Sequence, residues 1–131
     1  MEVEVGRDGC RVPLPWTRSG PSFGFGPDGA HLPQPLWFGC YSVEAEEEDP
    51  DSTLWLYRQA LALRRTLLAG ETLAWVDTGR PDVLRFRRPN GWEVVSNFGT
   101  DPFELPAGDV LLASRAFTGQ LPGESTVWLR P

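Results

Sequence analysis

The spacing of the apolar residues changes at Gly70, and that change limits the folds open to this chain more than any other feature. Before it, "DPDSTLWLYRQALALRRTLLAG" repeats near every 3.6 residues. Leu54, Tyr57, Leu61 and Leu68 form one stripe, Leu56, Ala60, Leu63 and Leu67 widen it, and Arg58, Gln59 and Arg65 stay outside. The spacing predicts one long amphipathic helix with a wide face to bury. Asp49 or Asp51 is placed to cap its free N–H groups, Pro50 suits its first turn, and Gly70 ends it.

After Gly70 the period falls to two. "TLAWVDT", "DVLRFRRP", "GWEVVSNF", "FELP", "DVLLAS" and "STVWLR" are short, rich in Val, Leu and aromatics, and separated by turn residues such as Pro89-Asn90-Gly91. They predict antiparallel strands in a small β-sandwich. Leu84 and Phe86 alternate with Arg85 and Arg87, so one face is expected inside and the other wet. Trp75, Trp92 and Trp128 fall in these strand patterns and are expected in the core, whereas Trp55 can face either the sheet or something beyond it. The fold class is thus α+β, mainly β: an antiparallel β-sandwich preceded by one long amphipathic helix and a long irregular loop. No internal repeat is visible.

The loop is residues 1 to 50, whose glycines and prolines, dense in "SGPSFGFGPDGAHLPQP", prevent a sustained ladder or helix. Its aromatics Trp16, Phe23, Phe25, Trp37, Phe38 and Tyr41 favour order against a surface over free disorder. Trp16, Trp37 and Phe38 can stack on flat C–H faces of sugars or simply pack, and for Trp37 packing is the preferred reading.

Charge excludes some functions. The net charge is -6, but Glu44, Glu46, Glu47, Glu48, Asp49 and Asp51 crowd one short stretch, and the remaining 12 acids balance 12 bases. No basic face is gathered for nucleic acid. The acidic run itself reads as a solvated patch and helix cap rather than an acid/base pair. Cys10 and Cys40 are far apart, and with one histidine they make no convincing zinc site, so free thiols and no metal are expected. His31 has no serine or cysteine motif beside it and reads as a loop residue. Gly24, Gly26 and Gly29 do not form a phosphate loop, because Pro27 intrudes and no helix follows. With no signal core and no apolar run near ~20 residues, a cytoplasmic chain with no membrane partner is expected.

Three stretches in order, "GRDGCRVPLPW", "LPQPLWFGCYSVEAEEEDPDSTLWLYRQALALRR" and the strand-rich tail, resemble the C-terminal part of α-glucosidases of glycoside hydrolase family 13, the α-amylase family. The resemblance spans nearly the whole chain. It implies that residues 1–70 are the terminal loop and last helix of a (β/α)8 catalytic barrel, and residues 71–131 the C-terminal antiparallel β-sandwich domain. It further implies that Arg7 or Arg11 holds hydroxyls of a glucosyl unit while Asp8 orients the loop. A structural Arg7–Asp8 ion pair is the rival reading. A guanidinium is a rigid multi-donor fork, and Pro13 and Pro15 restrict the loop before binding, so the sugar-holding role is chemically sound.

A retaining glycosidase needs two carboxyls about 5 Å apart across the scissile bond. By the resemblance, both lie upstream of residue 1, "MEVEVG" is a truncated or misassigned start, and no catalytic residue belongs to this chain. The implied parent acts on short α-glucosides, without an organic cofactor, by hydrolysis, transglycosylation or trehalose-forming isomerisation. Its partners are carbohydrate and the barrel of the same protein. Rival readings are a free-standing β module that binds carbohydrate or protein, and a truncated product without independent function. If the barrel is missing, the helix face is left exposed and self-association follows.

Overall fold

Backbone placement in the computed structural model covers residues 7–131, and side chains are described from residue 9 onward. Two compact units divide at Trp55 and Leu56, in the first turn of the long helix.

In the first unit the glycine- and proline-rich segment is ordered by its own backbone. Short 3-10 segments occupy Arg7–Cys10, Pro21–Gly24 and Leu36–Tyr41, followed by the short helix α1, Val43–Glu47. The carbonyl of Phe23 accepts from the N–H groups of Trp16 and Thr17 at 2.7 and 2.9 Å, and Ser22 and Phe23 take left-handed φ values of 46° and 49°. That unusual backbone is held because Phe23 is buried and the Ser22 hydroxyl donates to Asp28 O at 2.6 Å. Ser42 caps α1, its Oγ accepting from Ala45 N at 3.2 Å.

The helix of the second period, α2, runs Thr53–Leu67 and starts later than the sequence suggests. Neither Asp49 nor Asp51 caps it. The Asp49 carboxylate instead accepts from Asp51 N, while Ser52 Oγ accepts from Trp55 N and the Glu46 carboxylate accepts from Leu54 N at 2.9 Å. Pro50 therefore lies in the turn between α1 and α2, where its missing N–H costs nothing. At the other end the Leu67 carbonyl accepts from Asn90 Nδ2 at 2.9 Å and Trp92 Nε1 at 3.1 Å, and Gly70 O accepts from Arg88. These bonds satisfy acceptors that a helix terminus leaves unpaired.

The second unit is built on one antiparallel sheet, in the order β1-β2-β3-β5-β4. Its strands are β1 Ala74–Trp75, β2 Val83–Arg87, β3 Glu93–Asn97, β4 Asp109–Ala113 and β5 Ser125–Arg130. "FELP" contributes only a bridge, Phe103 with Leu121, because Pro102 and Pro106 remove ladder donors. A single sheet takes the place of two facing ones, and helix and loop supply the covering layers. On one face Leu63 and Leu67 of α2 pack with Phe86, Trp92, Val94, Leu111 and Trp128. On the other, Val83, Val95, Val127 and Leu129 are covered by Leu121, Phe103, Leu105 and Phe117 from the segments flanking β4.

Two expectations about burial change. Trp75 is 67% exposed, since β1 is a two-residue edge strand, and its ring meets only Phe86 edge-on at 5.8 Å. The face carrying Arg85 and Arg87 is covered at Val83 and Arg85 and opens to solvent only at Arg87, and what holds both arginines there is Glu93. Its carboxylate is fully buried, accepting from Arg85 Nε at 2.7 Å and Arg87 Nε at 2.8 Å. Burial pushes the Glu93 carboxyl upward, but the hydrogen bonds from both guanidiniums outweigh it and hold the group below its ordinary value.

Candidate functional site

Arg7 and Asp8 lie in the first 3-10 turn, and their side chains fall outside the described residues. Arg11, one residue after that turn, is exposed. The segment that follows is fixed: Pro13 O accepts from Gln34 Nε2 at 3.0 Å and Pro15 O from Val43 N at 3.1 Å. The prolines and these two bonds leave the segment after Arg11 little conformational freedom.

The same unit presents aromatic faces. Trp16 and Trp37 are 50% and 59% exposed, Tyr41 is exposed beside Trp37 at 5.8 Å between ring centres, and Phe38 lies edge-on to Trp37 at 4.5 Å. Phe38 also reaches the buried Phe23 at 6.4 Å, so it anchors the cluster while Trp37 faces outward. An exposed indole held by two ring contacts is a rigid stacking surface.

The acidic run has structural duties. Glu44 accepts from Arg18 N at 2.8 Å, Glu48 pairs with the Arg18 guanidinium, and Glu46 caps α2. His31 is exposed, as a loop histidine should be, and Cys10 and Cys40 are exposed free thiols. Among the described residues no group of three or more His, Cys, Asp or Glu side chains is gathered to hold a metal ion, and no helix is long and apolar enough to cross a membrane.

Sequence reasoning missed the Glu93 cluster and Asn97. Asn97 is 1% exposed; its Nδ2 donates to Asp101 O at 2.8 Å and Pro122 O at 3.2 Å, and its Oδ1 accepts from Gly99 N at 3.1 Å. One amide thereby pins both ends of the excursion that contains β4. The cross-strand pairing of Arg87 with Glu93 was the available clue to the buried charge.

No family model matches the chain. It is 39% identical over 92 residues to a probable alpha-glucosidase of Rhizobium meliloti (strain 1021), a match covering 69% of this chain and 16% of that protein. Its fold superposes on a trehalulose synthase with TM-score 0.75 at 23% identity, over 96% of this chain and 26% of the synthase. Trehalose-6-phosphate hydrolase of Bacillus licheniformis gives TM-score 0.71 at 19% identity over 96% of this chain and 27% of the hydrolase. Isomaltulose synthase from Klebsiella sp. LX3 gives TM-score 0.72 at 23% identity over 95% and 26%. The chain thus spans about a sixth of its curated relative and about a quarter of these structures. The resemblance to the C-terminal part of glycoside hydrolase family 13 enzymes holds in sequence and in fold.

Proposed function

We propose that this chain acts as the C-terminal part of a retaining α-glucosidase that cleaves short α-glucosides. In this reading residues 1–70 complete the catalytic barrel with its terminal loop and last helix, and residues 71–131 form the β domain behind it. The observation that carries it is the 39% identity over 92 residues to a probable alpha-glucosidase. The rigid exit of the arginine loop supports a role for Arg7 or Arg11 in gripping sugar hydroxyls, with Asp8 orienting the turn. Nucleophile and acid/base come from the barrel, so the chain alone does not hydrolyse glucosides, and it works in the cytoplasm without an organic cofactor.

The exposure of Tyr57 and Leu61 on α2 and of Leu68 just after it, at 64%, 50% and 45%, also fits this reading, since a wide apolar row remains for a further layer. In the separate chain that row drives self-association. The packing of Leu63 and Leu67 on the chain's own sheet favours a second reading, a free-standing β module, in which the 131-residue chain is a monomer with a cooperative melt.

A chimera tests the choice. Residues 1–131 replace the matching C-terminal segment of the Rhizobium relative, and cleavage of a nitrophenyl α-glucoside is measured for the chimera and for the chain alone. Turnover by the chimera only is expected. A folded but inactive chimera, or turnover by the chain alone that Glu44→Gln abolishes, overturns the assignment.

A further inference from the structure

An open cleft of about 510 Å³ with a mixed apolar and polar lining, wholly inside the second unit, lies where β3 ends and β5 begins. Phe98, Ser96, Ser114, Glu124 and Thr126 line it. Phe98 is the first residue after β3; its backbone is fixed by donation to Asp82 O at 2.9 Å, yet the residue is 71% exposed. Glu124, in the same lining, has φ at 53°, a left-handed conformation that a glutamate rarely adopts. The carboxylate of Glu124 has no hydrogen-bond or ion-pair partner among the described residues.

The strained backbone is firmly held. Glu124 N donates to Gly99 O at 3.1 Å, and Gly123 lies so close that a β-carbon there would stand 2.4 Å from the same oxygen. A conformation kept against its intrinsic preference, ending in an unpaired acceptor, points to use rather than packing. Hydroxyl donors surround it. Ser96 and Thr126 share one hydrogen bond of 2.8 Å, which leaves one of their two O–H groups to donate elsewhere. Ser114 Oγ accepts from Thr126 N at 2.9 Å, so its own O–H is also available.

An aromatic face, a carboxylate acceptor and two hydroxyl donors match a ligand with a flat apolar side and groups that both donate and accept. We propose that this cleft is a non-catalytic saccharide site, in which a pyranose ring stacks on Phe98, Glu124 accepts from vicinal hydroxyls, and Ser114 and the Ser96–Thr126 pair donate to them. A basic side chain could lie over Phe98 and pair with Glu124, but it brings no acceptor for the two O–H groups. The site needs no barrel, so it stands or falls separately from the assignment above.

The test is a titration of the 131-residue chain with maltose, isomaltose and, separately, arginine, followed by backbone amide NMR. Expected are shifts confined to residues 96–98, 114 and 124–126 with a saccharide Kd on the order of 1 mM, and at least a tenfold weakening in Phe98→Ala. Glu124→Gly is expected to weaken binding comparably while raising Tm, because it relieves the left-handed strain; this separates lost recognition from lost folding. Absence of shifts at 50-fold that concentration, saccharide shifts elsewhere, saccharide binding unchanged in Phe98→Ala, or binding of arginine alone overturns the proposal.

Discussion

Arg85 Nε lies 2.7 Å from Glu93 Oε2 across the β2–β3 pair, and the carboxylate it meets is wholly removed from solvent. Removing one partner of such a pair strands the other, which costs more than the pair itself contributes. Arg85→Met is therefore expected to destabilise the chain by about 3 kcal/mol. Arg87, whose side chain is 54% exposed, is expected to cost under about 1 kcal/mol when changed to Met. Urea denaturation of the two variants against the parent chain checks the ranking, and equal costs would contradict it.

The same carboxylate makes stability depend on acid. Glu93 is held below its ordinary value of 4.5 despite burial, by the bonds from Arg85 and Arg87; Asp82 is held below 3.8, chiefly by the Arg80 side chain. The unfolded chain therefore binds these protons more readily than the folded one. The stabilisation is fully present above about pH 4.5 and is lost as pH falls through the lower folded-state values. Stability curves from pH 7 to pH 2.5 should fall steeply below pH 4.5, and Glu93→Gln should flatten that fall.

The two rows of α2 should respond differently to truncation. Leu67, 6% exposed and packed on Trp92 and Val94, is expected to cost about 2 to 5 kcal/mol as Leu67→Ala. Leu61, half exposed, should stay within about 0.5 kcal/mol as Leu61→Ala at protein concentrations too low for self-association. Chemical denaturation of both variants decides, and a costly Leu61→Ala would mean that the outer row is covered in solution.

Asn97→Ala removes the amide that serves Asp101, Pro122 and Gly99, leaving buried groups without partners. A loss of about 2 kcal/mol is expected in thermal unfolding followed by tryptophan fluorescence.

Within the chimera, Arg7→Ala and Arg11→Ala test the proposal that one of these side chains grips the sugar. One of them should lower kcat/KM roughly a hundredfold with Tm unchanged, because a lost orienting contact acts on the transition state rather than on folding. Two unaffected variants would leave the loop with a structural role.

Strand positions were legible because alternation and turn residues agree: Val83–Arg87, Glu93–Asn97 and Ser125–Arg130 all sit inside the segments read as strands. Where a neighbour decides, the sequence was silent. The start of α2 offers Asp49, Asp51 and Ser52 within a few positions, and the bond from Leu54 N to Glu46 selects the register. Arg85 and Arg87 look solvent-facing in their own strand, and only the pairing with β3 reveals the acid between them. For the arginine loop the family resemblance supplied the whole reading, since "GRDGC" has no periodicity of its own.

The Leu67 carbonyl, shared by Asn90 and Trp92, ties the last turn of α2 to the hairpin that joins β2 to β3. Neither can fray alone without stranding the other's polar groups, so their slowest amide protons should exchange at a common rate, as one cooperative opening unit.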